Sequence, residues 1–320
     1  MSKAMKIWLI VGASLILIGC IILGGAMSMM KWDFTKLSTN QYETNEHTVT
    51  EAFQGISVHT NTADIIFART EEDACSVVCF ERSNEKHSVL VKDGTLVIEI
   101  SDTRKWYEHI GIGFQTSKIT VYLPRNEYDT LTVKSDTGDV TVPKEFQWRS
   151  MDISEQTGDV TCYASVSGSL KIKATTGDIL LSNLSVGSLE LSVSTGRIKA
   201  SGVTCEGDVS VRVSTGKTNL TDMTCKSLTS KGSTGDLSLK NVVASGSFSI
   251  ERSTGDVTFD GSDAAEIFVK TDTGDVEGSL LSSKVFMVTT DTGDKDVPKT
   301  VSGGRCEIAT DTGDIRIRIQ

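Results

Sequence analysis

The chain has 320 residues, with 32 Lys and Arg against 42 Asp and Glu, a net charge of −10 and a pI near 5.0. That balance excludes partners that need a basic footprint, nucleic acid and anionic lipid among them. The 28 Gly, 3 Pro and 6% aromatic residues suit a β-rich chain with many tight corners, and the periodic apolar pattern excludes wholesale disorder.

Residues 1–6 read as a short cytoplasmic tail. Ile7 to Met30 is a 24-residue stretch without a charge, long enough to span a bilayer core, so 7–30 is predicted to be a transmembrane anchor. Lys3 and Lys6 precede it, and Lys31, Trp32, Asp33 and Lys36 follow. The positive-inside rule therefore favours N-inside by a small margin. Two other readings stay open. One is a cleaved signal peptide with Gly24-x-Ala26 as the cleavage site. The other is a lipoprotein, because Leu17-Ile18-Gly19-Cys20 resembles a lipobox, although apolar residues continue past Cys20. All three place the rest of the chain outside the cytoplasm; a cytoplasmic β-domain is the alternative topology. Residues 31–50 are polar, rich in Thr and Asn, and read as a stalk.

Residues 51–130 hold an opening coil, a hairpin and a cap region. Ile56-x-Val58, Thr62-Ala63-Asp64 and Ile65-x-Phe67 form one degraded copy of the template described next. Its Ala63 suggests that the glycine position is not strictly bound to positive φ. Ser88–Lys92 and Thr95–Ser101, joined at Asp93-Gly94, read as a β-hairpin. Lys118–Leu123 is a strand stopped by Pro124. The loop 104–115 carries Trp106, Tyr107 and Phe114 among glycines. These three are the candidate partner contacts, with capping of the first coil as their alternative role.

From Leu131 to Gln320 a Thr-Gly pair recurs ten times, from Gly138 to Gly313, at spacings of 19 or 20 residues, and Asp follows in eight of them. So regular a period means one unit stacked on copies of itself. Each unit is apolar at positions 1 and 3, as in Leu131 and Val133. It is apolar again at positions 10 and 12, as in Val140 and Val142. The two pairs have opposite parity, so a straight strand would turn the second pair outward. The chain must bend between them, where Thr-Gly-Asp sits, and turn again after position 12. The predicted fold is all-β: a single-stranded β-solenoid (β-helix) of about ten coils, each rising ~4.8 Å, behind one N-terminal transmembrane helix. The Ile315-x-Ile317-x-Ile319 strand is expected to be the bare final edge, with Arg316 and Arg318 guarding it or serving a contact.

The Phe53-Gln-Gly-Ile56 strand opening, the Val121-Tyr-Leu-Pro124 strand end and the serial Thr-Gly-Asp-Val units resemble the bacterial "putative adhesin" family of unknown function, also called toastrack domains. The resemblance spans residues 51–320. It implies a membrane-anchored envelope protein with a β-solenoid, in some relatives linked to envelope-stress sensing. It implies no catalytic residues.

The stacked carboxylates after Gly are the first candidate site. Asp272, Asp275, Asp291, Asp294, Asp311 and Asp314 crowd one edge, where calcium would relieve their repulsion. The alternative is that each Asp bonds the corner backbone. Arg197 and Lys217 interrupt the column and are expected to pair with Asp178 and Asp236. Cys205 and Cys225 should stack in adjacent coils as core thiols, with a disulfide between them as the alternative, and Cys75 and Cys79 lie too far apart along one strand to bridge. A carbohydrate-active β-helix enzyme would need unlike residues converging at one place; Asp instead repeats on every coil, and all four His precede the array. The expectation is a non-catalytic binding, adhesion or envelope-sensing scaffold at the cell membrane, with no cofactor, no nucleic acid and no small-molecule substrate. Its partners would be the membrane and an envelope protein or cell-surface ligand.

Overall fold

An unbroken apolar run has no polar face to present to water, and Lys3–Met29 folds as a single helix, α1, whose side chains are exposed almost throughout. Its stretch Met5–Met29 is long and apolar enough to cross a membrane. The computed structural model describes residues 3–33, 41–102, 115–125 and 127–320. Trp106, Tyr107, Phe114 and the loop that carries them lie outside the described residues.

The repeats form a β-solenoid of about ten turns. Position 1 residues stack in register through parallel strands: Leu131 on Met151, Met151 on Leu170, Leu189 on Val209, and Phe248 on Ile267. Position 10 residues make a second parallel ladder, from Val140 through Val160, Ile179 and Ile198. Both ladders point inward and meet in one continuous apolar core, so the chain does bend between them.

The bend is the Thr-Gly-Asp corner, where the ten glycines hold φ between 124° and 151°. Stacking makes the glycine obligatory: a Cβ on Gly216 would lie 1.8 Å from the carbonyl oxygen of Gly196. The tolerance suggested by Ala63 is thus confined to the opening coil; the array enforces positive φ. A second corner follows position 12. Asn183, Gly202, Asp222, Asn241 and Gly261 occupy it in successive coils, with φ from 50° to 63°. These are residue types that tolerate the left-handed region.

Among the described residues, seven strands precede the array: β1 (Tyr42–Val49), β2 (Gly55–Thr62), β3 (Asp64–Arg69), β4 (Cys75–Arg82), β5 (Glu85–Lys92), β6 (Thr95–Asp102) and β7 (Lys118–Leu123). β2 and β3 are the opening coil and pair with the first array strands at Ile56–Leu131 and Ile65–Val140. β5 and β6 are the expected hairpin, with Asp93 and Gly94 at φ 50° and 72°. β4 runs antiparallel to β7, and β1 antiparallel to β4. Residues 42–49 are therefore a strand, although composition marked them as stalk. Their inward face is Glu43, Asn45, His47 and Val49, and those polar side chains hid the alternation. Phe67, Tyr128, Phe146 and Trp148 pack edge-on or tilted above this end of the core.

At the other end the coils leave chain order. The strand Gly304–Thr312 lies between Glu266–Thr273 and Lys284–Thr292, pairing Cys306 with both Ile267 and Phe286. The final strand, Ile315–Ile319, is likewise paired on both sides, with Val276–Leu280 and with Lys295–Asp296. It is not the bare edge. Arg318 bonds Asp296 at 2.6 Å, and Arg316 pairs with Asp314. Either coil fits the template of the one below, so periodicity alone did not order them. The outer strand is Lys284–Thr292, where Val285 and Met287 are exposed.

Candidate functional site

The Asp column is a backbone device. Asp139 Oδ1 accepts the backbone N–H of Asp159 at 2.8 Å, and Asp159 Oδ1 accepts that of Asp178 at 2.7 Å. The pattern begins at Asp64 and resumes through Asp236, Asp256, Asp275, Asp314 and Asp294. Each carboxylate caps a corner amide that the parallel ladder leaves unpaired. Asp272, Asp275, Asp291, Asp294, Asp311 and Asp314 follow the swapped coil order. Among the described residues they form no group of three ligand atoms within 4.8 Å of one another. Arg197 bonds Asp178 at 2.8 Å through its guanidinium while its own N–H takes Asp178 Oδ1, and Lys217 reaches Asp236 at 2.9 Å. These two pairs compensate charge where the acidic column is interrupted. All seven cysteines are free; six are buried and Cys20 is exposed. Burial pushes the Cys162 and Cys225 thiols up to about 12.

A trough of about 640 Å³ crosses the early coils on the side away from the Thr-Gly-Asp corner. Gln54, Glu127, Gln147, Ser167, Ser185 and Glu206 line its rims, with Tyr128 and Trp148 beneath. Arg149 and Asp129, on adjacent coils of its lining, form an ion pair at 3.0 Å. The Trp148 ring is 1% exposed, and its Nε1 has no hydrogen-bond partner. The trough forms where Gly168 and Gly187 bring successive backbones close; a Cβ on either would meet a carbonyl oxygen at 2.6 Å. Sequence reasoning missed it. The signal available was the glycine that recurs after position 12, read only as a turn.

A second missed feature is a buried polar cluster in the cap. Glu81 on β4 and His87 on β5 lie 2.6 Å apart through Nδ1, and His87 Nε2 lies 2.9 Å from Thr60 Oγ1 on β2. Glu81 also accepts the His87 backbone N–H and Asn45 Nδ2, each at 2.7 Å. Burial raises the Glu81 pKa, but these hydrogen bonds outweigh it and hold the carboxyl below its usual range. Cys79 lies beside them; burial, and then the Glu81 charge, push its thiol up to about 12. The sequence signal was Glu81 and His87 at inward parity in strands otherwise apolar inside.

The profile of the family described as Toastrack DUF4097 matches residues 53–212 and 204–320. No curated protein matches the chain. Similar solved structures include a "putative adhesin" from Bacteroides fragilis, 15% identical, with 87% of this chain and 97% of that one covered and a TM-score of 0.38. A "putative lipid binding protein" from Parabacteroides distasonis is 14% identical, with 88% and 98% covered and a TM-score of 0.41. A "putative cell adhesion protein" from Clostridium sporogenes is 11% identical, with 88% and 100% covered and a TM-score of 0.23.

Proposed function

We propose, since the chain belongs to the Toastrack DUF4097 family, that it is a membrane-anchored envelope protein whose exported β-solenoid is a non-catalytic binding scaffold. In this reading residues 1–6 are cytoplasmic, 7–30 anchor the chain, 31–41 link it to the cap, and 131–320 present the stacked coils outside. The observation that carries the reading is the Asp ladder. The most repeated functional group in the chain caps backbone amides, one coil to the next, rather than converging on a reacting atom.

The trough is the contact surface in this reading. Its rim repeats at the coil spacing of ~4.8 Å, which suits an extended polymer laid across the coils. Its amide, hydroxyl and carboxylate groups suit a hydroxyl-rich or cationic chain rather than an acidic one. Adhesion and envelope sensing both need such a surface. The test uses purified cell-wall material as the probe. Ser167→Trp fills the trough, and Lys270→Trp, outward in a distant coil, is the control. Loss of retention in the first variant alone supports the reading; equal retention of both removes the trough from it.

A further inference from the structure

We propose that the cap holds a transition-metal site, with Zn²⁺ as the fitting ion, built from Cys79, Glu81 and His87. The Cys79 sulfur, a Glu81 oxygen and a His87 ring nitrogen lie within 4.8 Å of one another, and all three residues are buried. Sulfur, imidazole nitrogen and carboxylate oxygen together are a zinc donor set.

The surroundings orient the donors as outer partners of a metal site do. His87 Nε2 meets Thr60 Oγ1, which leaves Nδ1 to face the site. Glu81 is fixed by Asn45 and by the His87 backbone N–H. The cluster thus joins a thiol, a carboxylate and an imidazole, all buried, on two neighbouring strands of the cap.

Binding replaces the proton between Glu81 and His87 with the metal. Cys79 loses its thiol proton to solvent. A neutral His87 keeps one ring proton, moved from Nδ1 to Nε2, where Thr60 accepts it. One proton is released per ion, or two if His87 starts charged. The site would join β4 to β5 beside β1, whose Asn45 holds Glu81.

The test uses the full chain in detergent, stripped with a chelator and titrated with Co²⁺, then Zn²⁺. One Co²⁺ per chain with a thiolate-to-cobalt absorption band is expected, bleached by Zn²⁺. Cys79→Ser should abolish the band, and Cys306→Ser, a buried thiol elsewhere, should keep it. Thr60→Val keeps every donor and should weaken affinity about 10–100-fold. Absence of stoichiometric Co²⁺ in the wild-type chain overturns the proposal whether or not the variants fold. So does a band that survives Cys79→Ser.

Discussion

The backbone N–H of Asp159 donates to Oδ1 of Asp139, 20 residues earlier and one coil below, at 2.8 Å. Where Asp follows the corner glycine, its side chain therefore completes the hydrogen bonding of the neighbouring coil. Asp139→Ala should lower stability by about 1–3 kcal/mol, the range for a charge-assisted bond whose donor is left behind. Asp139→Asn keeps an acceptor and should recover most of it. Thermal unfolding of the three chains checks this; equal midpoints would mean that water replaces the carboxylate.

The glycine of each corner should tolerate no side chain. Gly216→Ala puts a Cβ against the Gly196 carbonyl, a clash with backbone that no rotamer relieves. Loss of the folded state or a fall of several kcal/mol is expected, whereas Ala63→Gly in the opening coil should be mild. Protease resistance of the two variants separates them.

Much of this architecture is legible in the residues. The parity conflict between Leu131-x-Val133 and Val140-x-Val142 demands the corner, and the Asp178–Arg197 and Lys217–Asp236 pairs follow from register alone. The coil exchange is not legible, because Phe286-x-Val288 and Cys306-x-Ile308 satisfy the same template. The strand 42–49 is hidden by Glu43, Asn45 and His47, polar residues facing a polar cluster rather than water. The trough and the cap cluster join side chains from separate strands, which no spacing reveals.

Arg252 occupies an inward position that Ala174, Val193 and Val213 fill in other coils. It is 2% exposed, donating to Ser230 Oγ at 2.8 Å and to the Glu251 carbonyl at 3.4 Å with a bare Nε, and burial lowers its pKa to about 10. A buried cation without a carboxylate costs more than its hydrogen bonds return. Arg252→Met combined with Ser230→Val should leave the thermal midpoint unchanged or raise it. A fall of several degrees would show that the guanidinium bonds outweigh its desolvation.

Glu155 stacks on Ser135 in the same inward column, and burial raises its carboxyl to about 7. Because its folded pKa lies above the unfolded 4.5, the native state binds the extra proton. Stability is then highest below the unfolded value for this group and declines as pH rises through the folded one. Glu155→Gln should remove that decline, read as the difference between wild-type and variant midpoints from about pH 5 to about pH 8. A wild-type slope unchanged in the variant would place the titration elsewhere.

Whether the solenoid is anchored and faces outward can be read from the labelling of a single introduced thiol. Ser185→Cys places that thiol on the exposed trough rim, while six of the native cysteines are buried and Cys20 lies within α1. Intact protoplasts are treated with a membrane-impermeant maleimide, and the membrane fraction is then assayed for label. Outward orientation predicts labelling of the Ser185→Cys chain before lysis, with the labelled protein retained in the membrane. Labelling only after lysis, or labelled protein released as a soluble chain, would contradict it.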